Sequence, residues 1–226
     1  MGMAHVGRFN IDLLKEWVAP EIDIRPEENI SDLNDEFEHA QHWFQQYFLS
    51  SVFNGAFTGE TRLYATNIIY RVQLTFEAYH LSRNKTLEYA ENWKIGAPGI
   101  NRYLAMVSAW EAVFLNLQHI YDLLKNFFEM TMSAGSREKR TWQIANRIKH
   151  GAEDISQGKI AAPAIPMWIT KDGFATHNTS VTFEELSDQV RILAKIADAL
   201  SKPSEAKARF EALDRELAGN PNYEVG

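Results

Sequence analysis

The chain has 226 residues, of which 45% are apolar and 23% are charged, and it contains no cysteine. These proportions are typical of a single globular domain and argue against wholesale disorder. The lack of cysteine excludes disulfides, thiolate metal sites and a cysteine nucleophile, and it favours a reducing compartment. The formal net charge of −7 argues against attraction of nucleic acid to the whole surface. A nucleic-acid site would therefore have to be a local basic patch.

The hydropathy of the chain bears on its compartment. The first residues lack a basic segment followed by an apolar run, which would mark a signal peptide. No apolar stretch reaches the roughly 18 residues that a membrane-spanning helix needs. We therefore expect a cytoplasmic protein without a membrane partner.

The first 30 residues are predicted to form an N-terminal arm. Pro20 and Pro26 interrupt the helical periodicity and leave a short helix from Ile11 to Val18. From Ser31, a residue type that suits an N-cap, apolar residues recur at three- and four-residue steps and predict a helix to about Phe53. These apolar positions are Leu33, Phe37, Ala40, Phe44, Tyr47 and Phe48.

The same periodicity predicts the next helices. One runs from about Gly59 to Leu81, and residues 85–94 are expected to form a separate short helical turn. The strongest helix runs from about Asn101 to Met132. Its broad apolar surface suits the centre of a bundle or a subunit interface.

The pattern changes in the last third of the chain. A helix over about 137–156 is followed by a segment that predicts a β-hairpin on an Asp172-Gly173 turn. Thr182 and Glu185 have the spacing of a capping box, which opens a helix to Leu200. A charged terminal helix is predicted from Ser201 to Ala218.

Together these elements predict an all-α fold, a helical bundle of five or six helices with a small inserted β-hairpin. We expect residues 1–30 to form the arm and residues 31–201 to form the bundle, with the hairpin at about 165–182. Residues 202–226 are expected to form a C-terminal helix and tail.

The segment from Arg140 to Gly151 is the most informative for function. On a helix, its buried stripe would consist of Trp142, Ala145, Ile148, Ala152 and Ile155. Another side would carry Arg140, Gln143, Arg147 and His150, with Asn146 one turn before the histidine. Metal-free phosphodiester cleavage requires these groups, because guanidinium holds phosphate by two hydrogen bonds and imidazole transfers protons near neutral pH. The alternative is a solvated basic face without chemistry.

The run Asn146-Arg147-Ile148-Lys149-His150 resembles the histidine-containing helix of the HEPN superfamily, small helical-bundle proteins of prokaryotic defence and toxin–antitoxin systems. The long aromatic-rich helix and the Gly-Ser turn that precede the run agree with this likeness. The predicted hairpin at 166–173 and the helix start at Thr182 agree as well. The resemblance covers about residues 100–200.

The resemblance implies a dimer whose motif helices face each other across a cleft, and active members of the family are metal-independent endoribonucleases. We expect His150 to transfer the proton, Arg147 to contact phosphate and Asn146 to orient the imidazole. Further substrate-binding candidates are Arg140, Gln143 and Lys149. No cofactor or metal is then expected. The expected partners are RNA, a second copy of the chain and an antitoxin-like protein, in a stress or phage response.

The chain departs from the family pattern at the motif arginine. Active members carry an Arg that is separated from the His by four to six intervening residues, whereas the candidate positions here hold Gln143, Ile144 and Ala145. Arg147 is only three residues before His150. A non-catalytic module that serves dimerisation or partner binding is therefore an alternative.

A third hypothesis rests on two Glu-x-x-His motifs, Glu36 with His39 and Glu77 with His80. Di-iron carboxylate bundles use this spacing to place a carboxylate and an imidazole on one helix face. A complete site needs two further glutamates, for which Glu60 or Glu111 could be nominated.

Overall fold

The structure is a computed structural model that describes residues 11–26, 30–54, 57–94, 99–158 and 165–202. Its helices are α1 (Ile11–Trp17), α2 (Trp43–Asn54), α3 (Gly59–Lys94), α4 (Ile100–Phe128), α5 (Arg137–Ser156) and α6 (Phe183–Ser201), and a 3₁₀ turn spans Ala40–His42. The strands are β1 (Trp168–Ile169), β2 (Gly173–Ala175) and β3 (Ser180–Thr182). The prediction of an all-α bundle with a small β insertion is confirmed.

The long helices α3 and α4 form the centre of the bundle. Trp110 of α4 is fully buried, and its indole N–H donates to the Thr86 hydroxyl of α3 at 2.9 Å. The Trp110 ring also packs edge-on against Tyr79 of α3, with 5.5 Å between the ring centroids. Because the buried indole N–H has a partner, the large ring can fill the core without leaving an unpaired donor.

Helix α3 is continuous over 36 residues, so the predicted break after Leu81 is wrong. Ser82 and Thr86 lie near this point and are buried. Their hydroxyls donate to the carbonyls of Ala78 at 2.7 Å and of Ser82 at 2.9 Å, four residues earlier in each case. These polar side chains are therefore satisfied within the helix and do not interrupt it.

The helix predicted from Ser31 begins later, at Trp43. Side chains of α3 bind the backbone carbonyls of the preceding segment. Tyr79 donates its hydroxyl to the Ser31 carbonyl and Arg83 donates its Nε–H to the Ile30 carbonyl, both at 2.9 Å. These tertiary hydrogen bonds hold the segment in turns, and local periodicity does not reveal them.

The predicted hairpin is present, and a third strand extends it into an antiparallel sheet of order β1-β2-β3. Phe174 pairs with Ile169 of β1 on one side and with Val181 of β3 on the other. The Phe174 ring is fully buried and lies 4.8 Å from the Trp110 ring. The sheet therefore contributes to the bundle core. The prediction missed β3, whose last residue, Thr182, is also the N-cap of α6.

Helix α6 starts at the predicted capping box. The Thr182 hydroxyl oxygen accepts the Glu185 N–H at 3.1 Å, and the Glu185 carboxylate accepts the Thr182 N–H at 3.0 Å. The helix ends at Ser201, whose hydroxyl is 3.5 Å from the Gln46 side-chain oxygen of α2. Beyond Lys202, the predicted terminal helix lies outside the described residues. No helix in the described ranges is both long and apolar enough to cross a bilayer.

The described part of the N-terminal arm packs on the bundle. Ala19 and Ile22 are buried. The hydroxyl of Tyr89, on α3, donates to the Ile22 carbonyl at 2.6 Å. The arm is thereby attached to the second half of α3.

Candidate functional site

Helix α5 carries the run from Asn146 to His150. Its N-cap is Ser136, whose hydroxyl oxygen accepts the N–H of Lys139 at 3.2 Å. Thr141, Ile144 and Ala145 are each 0% exposed and form the core-facing side of the helix. The packing of this side fixes which residues of the motif face outwards.

The predicted burial of one face of α5 is wrong towards the end of the helix. Trp142 and Ile148 are half-buried, but Ile155 is 59% exposed. The side chain of Ala152 lies outside the described part of the chain. The backbone leaves helical geometry at His150, with φ −106° and ψ 15°. An ideal helical period does not predict this kink, so Ile155 was wrongly assigned to the core.

Arg140 is directed towards the sheet and α6. Its guanidinium donates to both carboxylate oxygens of Glu185, in one case at 3.2 Å, and to the Ser180 carbonyl at 2.7 Å. Its Nε–H donates to the Gly135 carbonyl at 3.2 Å. These bonds give Arg140 a structural role, and a substrate phosphate would have to compete with Glu185 for it.

Asn146 faces α4. Its side-chain oxygen accepts a hydrogen bond of 2.5 Å from the amide of Gln118, which is 5% exposed. Among the hydrogen bonds of the described residues, none joins Asn146 to His150. The structure therefore shows Asn146 joining α4 to α5, and the role of orienting the imidazole stays a prediction.

Arg147 lies at a junction between α5 and the turn that joins β2 to β3. Its guanidinium donates to the Asp154 carboxylate at 2.6 Å, and both side chains are only about 15% exposed. Its other amino group contacts the imidazole of His177. Burial and the positive charge of Arg147 lower the pKa of His177, although Asp154 partly opposes them.

The remaining motif residues lie at the surface. His150 is half exposed at the side chain, and its Nδ1 atom lies 3.6 Å from the Glu153 carboxylate. Gln143 and Lys149 are exposed as well. These three side chains are accessible to a ligand without any rearrangement of the fold.

The structure thus divides the predicted site. Arg147 and the accessible His150 stand one helical turn apart in the second half of α5. Arg140 and Asn146 are held by other elements. The structure adds His177, which was not among the predicted site residues. This histidine lies in the hairpin, away from α5 in the sequence, and only the folded sheet brings it to Arg147.

A second polar surface lies between α3 and α4. It is a shallow depression of about 220 Å³ lined by Asn67, Arg71, His119, Asp122, Leu123 and Asn126. The indole N–H of Trp142 donates to Asp122 at 3.2 Å, so the depression adjoins α5. His119 is exposed at this depression.

The two Glu-x-x-His motifs do not converge on a metal site. Glu36 forms an ion pair with Arg191 of α6 at 2.8 Å. Glu77 accepts a hydrogen bond from Gln73 at 3.1 Å on the surface of α3. Across the described ranges, no group of three or more His, Asp or Glu side chains is arranged to hold a metal ion. The geometry gives the di-iron hypothesis no support.

Comparisons with protein-family models, with curated proteins and with solved structures gave no match to this chain. The likeness to HEPN proteins therefore rests on the motif and its surroundings in the sequence. It stays a prediction.

Proposed function

We propose that the protein binds RNA at the edge formed by the second half of α5 and the β2–β3 turn, and that His150 serves metal-independent cleavage there. The observation that carries this proposal is the position of Arg147. Its guanidinium meets the imidazole of His177 on one side, and the accessible imidazole of His150 follows one turn later. A guanidinium that contacts one imidazole and lies one helical turn from a second is an arrangement suited to a phosphodiester.

The chemistry assigns a role to each group. The RNA 2′-hydroxyl is the nucleophile. The imidazole of His150 takes its proton as the general base. Once this proton is removed, the 2′-oxygen forms a bond to the adjacent phosphorus and the bond from phosphorus to the 5′-oxygen of the next nucleotide breaks. The leaving 5′-oxygen takes a proton from water, so the products are a 2′,3′-cyclic phosphate and a 5′-hydroxyl. Arg147 uses two of its amino groups on Asp154 and His177, and its remaining N–H groups are donors for a phosphate oxygen. Lys149 and Gln143 contact the flanking backbone.

The test of catalysis is RNA cleavage in the presence of a metal chelator. We expect the wild-type protein to cleave, and the His150→Ala variant to lose cleavage by at least about 100-fold, the scale of a general acid–base group. His42→Ala is the matched control, because His42 is also an exposed histidine but lies in the 3₁₀ turn before α2 and not on α5. Equal cleavage by wild type and His150→Ala, or no cleavage by either, contradicts the enzymatic proposal.

RNA binding has its own test. We expect Lys149→Ala to weaken RNA binding and to reduce the slope of log affinity against log salt by about one charge. Lys125→Ala, an exposed cation on α4, is the control and should leave both unchanged. Identical affinities and salt slopes for the two variants would argue against RNA contact at α5.

A specific observation favours a second function, a non-catalytic dimerisation or partner-binding module. Arg140 and Arg147 both donate to carboxylates of the chain itself, Glu185 and Asp154. Such pairing is typical of structural cations rather than of an open phosphate site. A homodimer in solution that captures a neighbouring-gene product and neither binds nor cleaves RNA would establish this alternative. The cytoplasmic location and the role in stress or phage response belong to both proposals.

A further inference from the structure

The outer face of α2 is apolar and uncharged. Phe48 and Leu49 are 56% and 45% exposed, and Val52 and Phe53 are 61% and 78% exposed. We call these four residues the α2 apolar stripe. The sequence of α2 contains no charged residue at all. A contiguous apolar surface of this kind on a water-facing helix indicates that something covers it.

The stripe lies on the side of α2 opposite its core contacts. Trp43 and Tyr47 are 1% and 2% exposed and face inwards, one turn apart. Phe48, Leu49 and Val52 follow the three- and four-residue spacing of a single helix face. Helix α2 is therefore apolar on two sides. A helix at the surface of a monomer needs only one apolar side, the side that packs on the core.

The chain itself leads to this surface. Helix α6 ends at Ser201, which is 1% exposed and whose hydroxyl contacts Gln46 on α2. Residues 203–226 follow from this point. Gln46 and Val52 are six residues apart, or about 9 Å along the helix. A helix that begins at residue 203 rises about 10 Å to Phe210 and about 21 Å to Leu217, so the segment after Ser201 is long enough to reach the stripe.

The sequence of the segment after Ser201 matches the stripe in pattern and length. Apolar residues recur at Ala206, Phe210, Leu213 and Leu217, one face of a helix, and the opposite face carries charged residues such as Arg215. From Phe210 to Leu217 this face extends about 10 Å, close to the length of the α2 apolar stripe.

We propose that residues 203–218 form an amphipathic helix that packs Phe210, Leu213 and Leu217 on the α2 apolar stripe of the same chain. The intramolecular occupant is favoured over a second copy because a short tether gives an effective concentration on the order of millimolar. A second copy competes only at comparable protein concentration. The proposal is independent of the RNA function, since none of these residues belongs to α5.

Cysteine cross-linking in the full chain tests the proposal, and the cysteine-free background makes the result specific. Val52→Cys is combined in turn with Phe210→Cys, Leu213→Cys and Leu217→Cys. We expect at least one pair to form a disulfide within the monomer on mild oxidation. The matched control combines Val52→Cys with Arg215→Cys, whose side chain is on the charged face of the segment, and it should not cross-link.

Three outcomes overturn the proposal. These are equal cross-linking of the control, no intramolecular disulfide in any pair, and disulfide-linked dimers whose yield rises with protein concentration, which would assign the stripe to a second copy. A second measurement does not need a disulfide. We expect a thiol reagent to label Val52→Cys about tenfold faster when Leu213→Asp and Leu217→Asp are also present, because loss of docking exposes the thiol. A tenfold change in the labelling rate corresponds to a docked state that is favoured about tenfold over the undocked state. Unchanged labelling also contradicts the proposal.

Discussion

Arg140 of α5 and Glu185 of α6 form an ion pair, and the Glu185 carboxylate also accepts a backbone hydrogen bond. The same carboxylate accepts the N–H of Thr182 at 3.0 Å and so completes the capping box of α6. Burial disfavours ionisation of Glu185, but the hydrogen bonds from Arg140 and from the Thr182 backbone outweigh it and lower the pKa of this carboxyl. One pair therefore joins α5, the end of the sheet and the start of α6.

The first prediction concerns the loss of this pair. Arg140→Ala should lower the free energy of unfolding by about 1–3 kcal/mol at pH 7, because it leaves the part-buried Glu185 without its cation. The deficit should shrink as the pH falls below the ordinary carboxyl value of 4.5, since a carboxyl with a lowered pKa contributes stability only while it is ionised. Denaturant unfolding at several pH values measures both effects. Lys149→Ala on the same helix should change stability by less than about 0.5 kcal/mol, and a similar loss in both variants would contradict the structural role.

The second prediction concerns Arg147 and Asp154. Because both side chains are only about 15% exposed, Asp154→Asn should destabilise the fold by about 1–3 kcal/mol through the guanidinium that it leaves uncompensated. A double-mutant cycle of Asp154→Asn with Arg147→Gln should show a coupling of about 1 kcal/mol or more. Additive effects of the two substitutions would show that the pair makes no net interaction.

The third prediction concerns Gly173 at the start of β2. A Cβ atom at this position would lie 2.2 Å from the Val181 carbonyl oxygen and 2.6 Å from the Thr182 Cα atom, both of which belong to the backbone of β3. Gly173→Ala should therefore separate the two strands and destabilise the protein by about 2–4 kcal/mol. Gly151→Ala is the control, because its Cβ would meet only the Pro166 side chain at 3.9 Å. A Tm for Gly173→Ala equal to that of the control would show that β3 moves aside at little cost.

The fourth prediction concerns Glu111 on α4, whose ionisation makes the stability of the protein depend on pH. Burial raises the pKa of this carboxyl above its ordinary value of 4.5. A group with a raised carboxyl pKa binds its proton more tightly in the folded state, so stability falls as the pH rises through the folded pKa. Glu111→Gln should raise Tm at pH 7 and have little effect near pH 4, about the value at which an unfolded glutamate titrates. Thermal unfolding of the two proteins at both pH values provides the check, and a Tm gain that is the same at both would show that charge is not the cause.

A feature of the fold could be predicted when the residues that cause it lie close together in the sequence. The helices over 137–156 and from Thr182 were predicted well, since the residues that start them, the N-cap Ser136 and the capping box of Thr182 with Glu185, lie within one turn of the helix start. The segment at Ser31 was predicted wrongly, because Tyr79 and other α3 side chains hold its carbonyls from about 50 positions away. No local pattern contains that information.

The sequence by itself determined the fold class of this protein. Composition and periodicity gave a helical bundle with a β insertion, and the run ending at His150 directed attention to α5. Only the tertiary structure decided which of these side chains are accessible. The partners of Arg140, Asn146 and Arg147 come from α6, α4 and the β2–β3 turn, and chain folding alone brings those elements together. Guanidinium and amide groups bind whatever acceptor is nearest in space, and distance along the sequence does not reveal that acceptor.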